Sequence, residues 1–253
     1  MSIAGIRINQ AFNNDALTIG GSLADSLIGD SHLINWFQAD ARSVTLEGSN
    51  IIALLDRKGT ASAFTRAGAG NSPVLTDNIF GIYPGARLSS AESDRAIFSG
   101  TMTDLALPFT WAGVATLRTN AATSNLLATF TSTSVRCILN ATLNTSALKL
   151  QYGTASTAAL GITLGQPFAF AAGFDGVNIF LMVNGILSTV PAAGAPSLSD
   201  FALGGLPGGS QFWDGDVSDI FISNVALNSA GTDSVALLSK IRSYIQSVYG
   251  LTL

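Results

Sequence analysis

Charge is scarce in this chain of 253 residues. Only 11% of them are Asp, Glu, Lys or Arg, against about 25% in a typical soluble domain. Small polar residues must cover the surface instead, and such a surface suits burial in an assembly, because interface cores are depleted in charge. The net charge is −4 with 12 Lys plus Arg and no basic run, which excludes the clustered cationic footprint of a nucleic-acid binder. Cysteine and histidine occur once each, as Cys137 and His32. One thiol cannot staple a fold, and one Cys with one His cannot complete a zinc site. Cys137 lies in the apolar run VRCIL and reads as a small buried hydrophobe. His32, the sole candidate base for a serine hydrolase, lies in GDSHL without a G-x-S-x-G context. The lysines are Lys58, Lys149 and Lys240, and none completes a phosphate-binding G-x-x-x-x-G-K-[ST] loop. GAGNSP at 68–73 is loop-like and opens no helix, so no dinucleotide fingerprint is present.

Long apolar runs are also missing. FAFAAGF (168–174) is far too short to span a bilayer, so no membrane insertion is expected. The opening MSIAGIRINQAFNNDAL has no basic segment followed by an apolar one. The expectation is therefore a protein made in a cytoplasm without a signal peptide, and the N-x-[ST] matches at Asn140 and Asn144 read as chance.

What the chain does have is a series of short runs rich in β-branched and aromatic residues, punctuated by Gly, Asn, Asp and Pro. FTWAGVATL (109–117), LLATFTS (126–132), VRCILN (135–140), ALKLQYG (147–153), FAFAAGF (168–174), VNIFLMVNG (177–185) and VSDIFIS (217–223) all read as strands. Their recurrence every eight to fifteen residues is the spacing of a sandwich. Asp175-Gly176 between two apolar runs predicts a type I′ hairpin turn, and Asn184-Gly185 predicts a second turn. One helix is predicted over 233–249, with an apolar stripe at Leu238, Ile241, Ile245 and Val248. Thr232 or Asp233 can cap its start, and Gly250 can take the left-handed position that ends it. Residues 1–30 show no sustained period and read as an N-terminal arm, pinned to the sandwich or to a neighbouring subunit. Residues 31–253 then form one domain.

Several of these stretches together resemble the laminin-G-like, concanavalin A-like jelly-roll family, in the versions common in tailed-phage and bacterial surface proteins. NWFQADA (35–41) is similar to that family's W-L-D-A-S-D opening, and LLDRKGTAS (54–62) to its W-x-D-K-S-G-N-G stretch. FAFAAGFDGVNIFLMVNGIL resembles its strand–D-G–strand–N-G signature. FWDGDVSDIFISNVALN resembles F-D-G-D-I-x-D-V-x-I-Y-N-R-A-L-S, and LLSKIRSYIQSVYGL its closing helix. Gln38 and Leu55 depart from the common Asp and Trp. The resemblance implies an all-β concanavalin A-like jelly-roll β-sandwich with one C-terminal helix.

The chemistry narrows accordingly. Retaining glycosidases of this kind need two carboxylates about 5–5.5 Å apart, and the two glutamates, Glu47 and Glu92, lack such companions in sequence. Some laminin-G-like domains hold calcium at a rim with Asp side chains, so Asp214 and Asp216 are the candidate metal ligands, with Asp175 a further oxygen donor. Against that, Asp214-Gly215 reads as a plain turn, and Asp216 and Asp219 have opposite strand parity and should face opposite ways. Trp36, Trp111 and Trp213 fall in strand motifs and read as core. Tyr83 and Phe212, near turns, are the candidate sugar-contact aromatics. The expectation is a non-enzymatic structural protein on a tailed-phage virion, whose partners are copies of itself, other virion proteins and a host surface glycan. It would serve in tail-associated attachment or capsid decoration, with no cofactor. The alternative is a calcium-dependent carbohydrate-binding module of a bacterial surface protein.

Overall fold

Strands dominate because β-branched and aromatic residues fit a pleated, half-buried surface. The computed structural model describes residues 23–60, 62–98, 108–194 and 201–253. The expected arm over 1–30 therefore lies largely outside the described residues. Residues 23–28 form a short helix, and its Leu27 is buried. The early strands are β1 (Leu33–Gln38), β2 (Val44–Glu47), β3 (Asn50–Leu55), β4 (Ala63–Arg66), β5 (Val74–Phe80), β6 (Tyr83–Leu88) and β7 (Ala96–Phe98). The middle of the chain adds β8 (Phe109–Leu117), β9 (Ser124–Ser132), β10 (Val135–Ala141), β11 (Ala147–Tyr152), β12 (Ala155–Ser156) and β13 (Leu160–Gly161). Then come β14 (Phe168–Phe174), β15 (Asn178–Val183), β16 (Ile186–Pro191), β17 (Ala202–Leu203) and β18 (Gly215–Ser223). The C-terminal helix, Thr232–Tyr249, closes the chain.

The ladders between these strands are antiparallel and form two facing layers. One runs β16–β15–β14–β8–β18, and the far edge of β18 is shared by β1 and β6, with β5 outside β6. The other runs β2–β3–β4–β7–β17–β9–β10–β11, with β12 and β13 on β11. Between them lies the main core, including Trp111, Trp213, Phe168, Phe170, Leu127 and Leu150. A second core lies outside the first layer, where Leu237, Ile241, Tyr244 and Ile245 of the helix cover Trp36, Val114, Ala171 and Phe221. The result is an all-β jelly-roll sandwich with one C-terminal helix.

This double covering explains why β8 and β14 read as nearly continuous apolar runs and why β18 is buried despite its aspartates. Each is buried along its whole length, with the second sheet on one face and the helix over much of the other. All three tryptophans are core residues, fully buried, and so is Cys137. Two stretches of the jelly-roll resemblance meet in space: Asp56, buried, accepts the Trp36 backbone N–H at 2.9 Å and the Asn35 side-chain amide at 2.9 Å.

Four local expectations are corrected. The first hairpin turn centres on Gly176 and Val177, with Gly176 at φ 102°, because Asp175 pairs with Asn178 and its carboxylate accepts the N–H groups of Val177 and Asn178. The Asn184-Gly185 turn, by contrast, has positive φ at both positions, the I′ pattern. The helix begins at Thr232 with Gly231 as its cap and no side-chain cap bond. Its buried stripe is Ser234, Leu237, Ile241, Tyr244 and Ile245, so Leu238 and Val248 flank that stripe. Gly250 does end the helix, at φ 68°. Asp214-Gly215 is not a turn: Gly215 already pairs with Leu117 and Leu88 as the first residue of β18. Glycine is required there because a Cβ would overlap the Thr116 carbonyl oxygen and the Trp213 indole nitrogen.

The fourth correction concerns parity. The β18–β8 register shifts between Val217 and Asp219, so Asp216 lies opposite Thr116 and Asp219 opposite Val114. Ser218 is the extra residue of a β-bulge, which resets alternation. Asp216 and Asp219 therefore share one face of the sheet, the face toward the helix.

Candidate functional site

The polar region of the first sheet lies at the start of β18, where the sheet extends beyond the helix. Asp216 is 3% exposed. Its Oδ1 accepts Arg87 Nε and Arg118 Nη1, both at 2.9 Å, and its Oδ2 accepts the Thr116 hydroxyl at 2.8 Å. Asp214 Oδ1 accepts Arg118 Nη2 at 2.7 Å, and its Oδ2 accepts the Thr119 hydroxyl at 2.6 Å. Arg118 is further fixed by the Leu88 carbonyl at 2.7 Å. Two guanidiniums thus balance two carboxylates, and every carboxylate oxygen already has a donor.

That arrangement does not fit calcium. The ion needs six to eight oxygens, whereas two of these oxygens face guanidiniums and the other two accept threonine hydroxyls. Among the described residues no group of three or more His, Cys, Asp or Glu could hold a metal ion. Asp175 is likewise committed, to its own turn and to the Asn228 side-chain amide at 3.1 Å.

Arg87 also forms one wall of a pocket of about 300 Å³. The polar side chains around it are Asn50, Ser72, Arg87, Ser89, Glu92 and Asp94, and Ala69, Gly70 and Val74 complete the lining. Local bonds hold its loops. The Asn71 side-chain amide donates to the Glu92 carbonyl at 3.0 Å and to the Ser93 carbonyl at 3.3 Å, tying one loop to the next. Asp94 accepts the Ser89 N–H at 2.9 Å and returns its own N–H to the Ser89 carbonyl at 3.1 Å. Burial pushes the Asp94 carboxyl up to about 6, and the Glu92 charge adds to this, while the Ser89 N–H and Arg118 pull it down. Ser72 is 7% exposed, and its hydroxyl has no hydrogen-bond partner among the described residues. A buried polar atom left unpaired is costly, and here it lies in the wall of a polar pocket.

The aromatics expected to meet a sugar are not brought together, and both are half-buried. The Tyr83 ring packs against Tyr249 at 5.6 Å and lines a different pocket of about 290 Å³, with Gln38, Arg57, Ser218 and Tyr244. Phe212 lies beside Gly205 with the Arg95 guanidinium 5.9 Å from its centroid. His32 bonds Asn224 at 3.3 Å and faces Asp233 at 3.4 Å, joining β1 to the helix start. The Glu92-Ser93-Asp94 loop carries no motif that marks it as part of a site in the sequence. The available signal was the Gly and Ser density of 68–72 beside it, which is ambiguous alone.

No protein-family model matches the chain, and no curated protein matches it by sequence. Solved structures match it in fold. Trypanosoma rangeli sialidase in complex with the inhibitor DANA aligns with a TM-score of 0.56 at 16% identity, over 81% of this chain and 32% of that one. The binding domain of botulinum neurotoxin DC, in complex with rat synaptotagmin II, aligns with a TM-score of 0.55 at 10% identity, over 83% of this chain and 52% of that one. The same domain in complex with SialylT gives 0.55 at 11% identity, over the same shares. This chain spans about a third of the sialidase and about half of the toxin domain. At such identities the likeness is one of fold, and it places the chain among β-rich, jelly-roll-like structures.

Proposed function

We propose that the chain is a non-enzymatic, laminin-G-like surface module of a tailed-phage virion that contacts host glycan through the Arg87–Asp94 pocket. The observation that carries this reading is the pocket itself. Sugars are recognised by fixed donors and acceptors around a concave site, and here Asn50, Asp94 and Arg87 supply both kinds, with the buried Ser72 hydroxyl beside them unpaired among the described residues. Solved neighbours include a sialidase and a toxin binding domain, which supports a ligand-contacting use of the fold by analogy. The charge-poor surface favours a place within an assembly of copies of this chain and other virion proteins.

Glu92 and Asp94 come from one loop, two residues apart, which suits hydrogen bonding better than flanking a sugar from opposite sides. That favours binding over hydrolysis. Capsid decoration remains the second placement on the particle. The calcium-dependent module is the weaker alternative, since Arg87 and Arg118 occupy the expected ligands.

A glycan array with the purified protein tests the reading. Binding that weakens in Asn50→Ala and Ser72→Ala, with the melting temperature unchanged, supports it. Binding indifferent to both substitutions, or release of free sugar from bound glycans, overturns it. Antibody labelling of intact particles tests the virion placement, and unlabelled particles would overturn that part.

A further inference from the structure

We infer that the pocket takes a neutral, hydroxyl-rich ring, a neutral hexose or its N-acetyl form, and turns away acidic sugars. The inference rests on the glycan-contact reading above and names its ligand class. An exposed arginine beside a pocket would ordinarily suggest a carboxylate ligand, because the guanidinium fork matches one bidentately. Arg87 is not free in that sense. Its Nε is committed to Asp216, and Arg87 and Arg118 together are balanced by Asp214 and Asp216. What faces the cavity beyond that neutral cluster is Glu92 and Asp94. A ligand carboxylate would therefore meet repulsion, with no uncompensated cation among the described lining residues to offset it.

The uncharged groups point the same way. The Ser72 hydroxyl can donate and accept, and so can the Asn50 side-chain amide, for which no hydrogen bond is made among the described residues. The Asp94 carboxylate is an acceptor, and Arg87 keeps outer N–H donors. A sugar ring offers hydroxyls that serve both roles and can satisfy this mixed set. Ala69 and Gly70 leave one side of the pocket without bulk. Among the described residues its largest apolar side chain is Val74, and no aromatic ring lines it. Single-site affinity should accordingly be weak, with a Kd on the order of 1 mM, and useful attachment would come from several copies acting together.

The test is saturation-transfer NMR on the full chain with two sets of free sugars. Glucose, galactose, mannose and N-acetylglucosamine form the neutral set; N-acetylneuraminic and glucuronic acids form the acidic set. The expected result is transfer to at least one neutral sugar and none to the acids, with affinity reduced about tenfold in Asn50→Ala. Ser72→Ala should weaken the same sugar while leaving the melting temperature in place. Binding of the acidic set through the same residues would overturn the ligand class and leave the glycan-contact reading standing. Neutral-sugar binding insensitive to both substitutions would overturn the assignment to this pocket. No transfer from either set, together with an empty glycan array, would overturn both.

Discussion

Asp216 and Asp219 lie three residues apart on β18, on the same face of the sheet, and both are buried, at 3% and 0% exposure. Asp216 sits where the sheet runs out beyond the helix and meets two guanidiniums and a threonine hydroxyl. Asp219 sits under the helix and meets neutral donors: the Trp36 indole N–H at 2.6 Å and the Tyr249 hydroxyl, which also bonds Ser218 at 2.7 Å. Burial pushes the Asp219 carboxyl up to about 6, against the pull of those two hydrogen bonds and of Arg57. The pair shows how one strand can use the same side chain as an electrostatic clamp at its open end and as a sheet-to-helix tie at its covered end. The bulge at Ser218 is what places both on one face.

The largest effect should come from attacking the bulge. A Cβ on Gly113 would overlap the Asp219 carbonyl oxygen and press on the Phe170 ring at 3.1 Å. Backbone cannot step aside as a side-chain tip can, so Gly113→Ala should cost more than about 4 kcal/mol and yield little folded protein. Gly161→Ala, where a Cβ meets nothing within 4 Å, is the control and should stay within about 0.5 kcal/mol. Circular dichroism melts decide it. A Gly113→Ala protein as stable as its control would remove the close approach from the account.

Truncating each aspartate separates the two ends directly. Asp219→Ala strands the Trp36 indole N–H where water has little access and leaves the Tyr249 hydroxyl only Ser218, at about 2–4 kcal/mol. Asp216→Ala releases Arg87 and Arg118, whose side chains are 41% and 27% exposed and can be rehydrated. Its cost should be smaller, about 1–2 kcal/mol. Urea unfolding of both variants gives the ranking, and the reverse order would break the comparison.

Stability should also fall as pH rises through the interval from the ordinary carboxyl value of 3.8 to about 6, where Asp219 and Asp94 hold protons in the folded state that the unfolded chain has released. In that window the folded state binds more protons, so the slope of unfolding free energy against pH is negative. Below it both states are protonated, and above it both are ionised, so the loss stops growing. The expected drop is at most about 3 kcal/mol from each carboxyl. Asp219→Asn should flatten the curve and leave a residual slope from Asp94. A wild-type curve flat between pH 4 and 6 would show that neither carboxyl is raised.

The sandwich was legible because its central strands are buried on both faces. β8 and β14 match FTWAGVATL and FAFAAGF to the residue. The strands between 44 and 98 escaped notice because they are short and half-exposed: β5, VLTDNIF, is buried only at Phe80. The bulge was illegible, since Val217-Ser218-Asp219 is compatible with ordinary alternation and only the pairing with β8 reveals the extra residue. The pocket escaped for a different reason. Asn50, Ser72, Arg87 and Asp94 come from four separate stretches, and no spacing rule links them. The tryptophans were placed correctly in the core, whereas Tyr83 owes its position to Tyr249, far away in sequence.

The smallest expected effect concerns calcium at the open end of β18. Asp214, Asp216 and a neighbouring glycine look like an oxygen-rich cation loop when read as a string. In the folded chain their four carboxylate oxygens accept from Arg87, Arg118, Thr116 and Thr119. A calcium ion would have to displace two guanidiniums to reach them, and the freed positive charges would remain close by. A ligand that binds only the folded state raises stability by RT ln(1 + [L]/Kd), so binding with a Kd near 10 μM would add about 2.7 kcal/mol at 1 mM calcium. Melting with 1 mM calcium and with chelator should therefore give the same midpoint to within about 1 °C. A calcium-dependent rise of several degrees that disappears in Asp214→Asn would mean that the arginines yield, and the open end of β18 would then be a cation site after all.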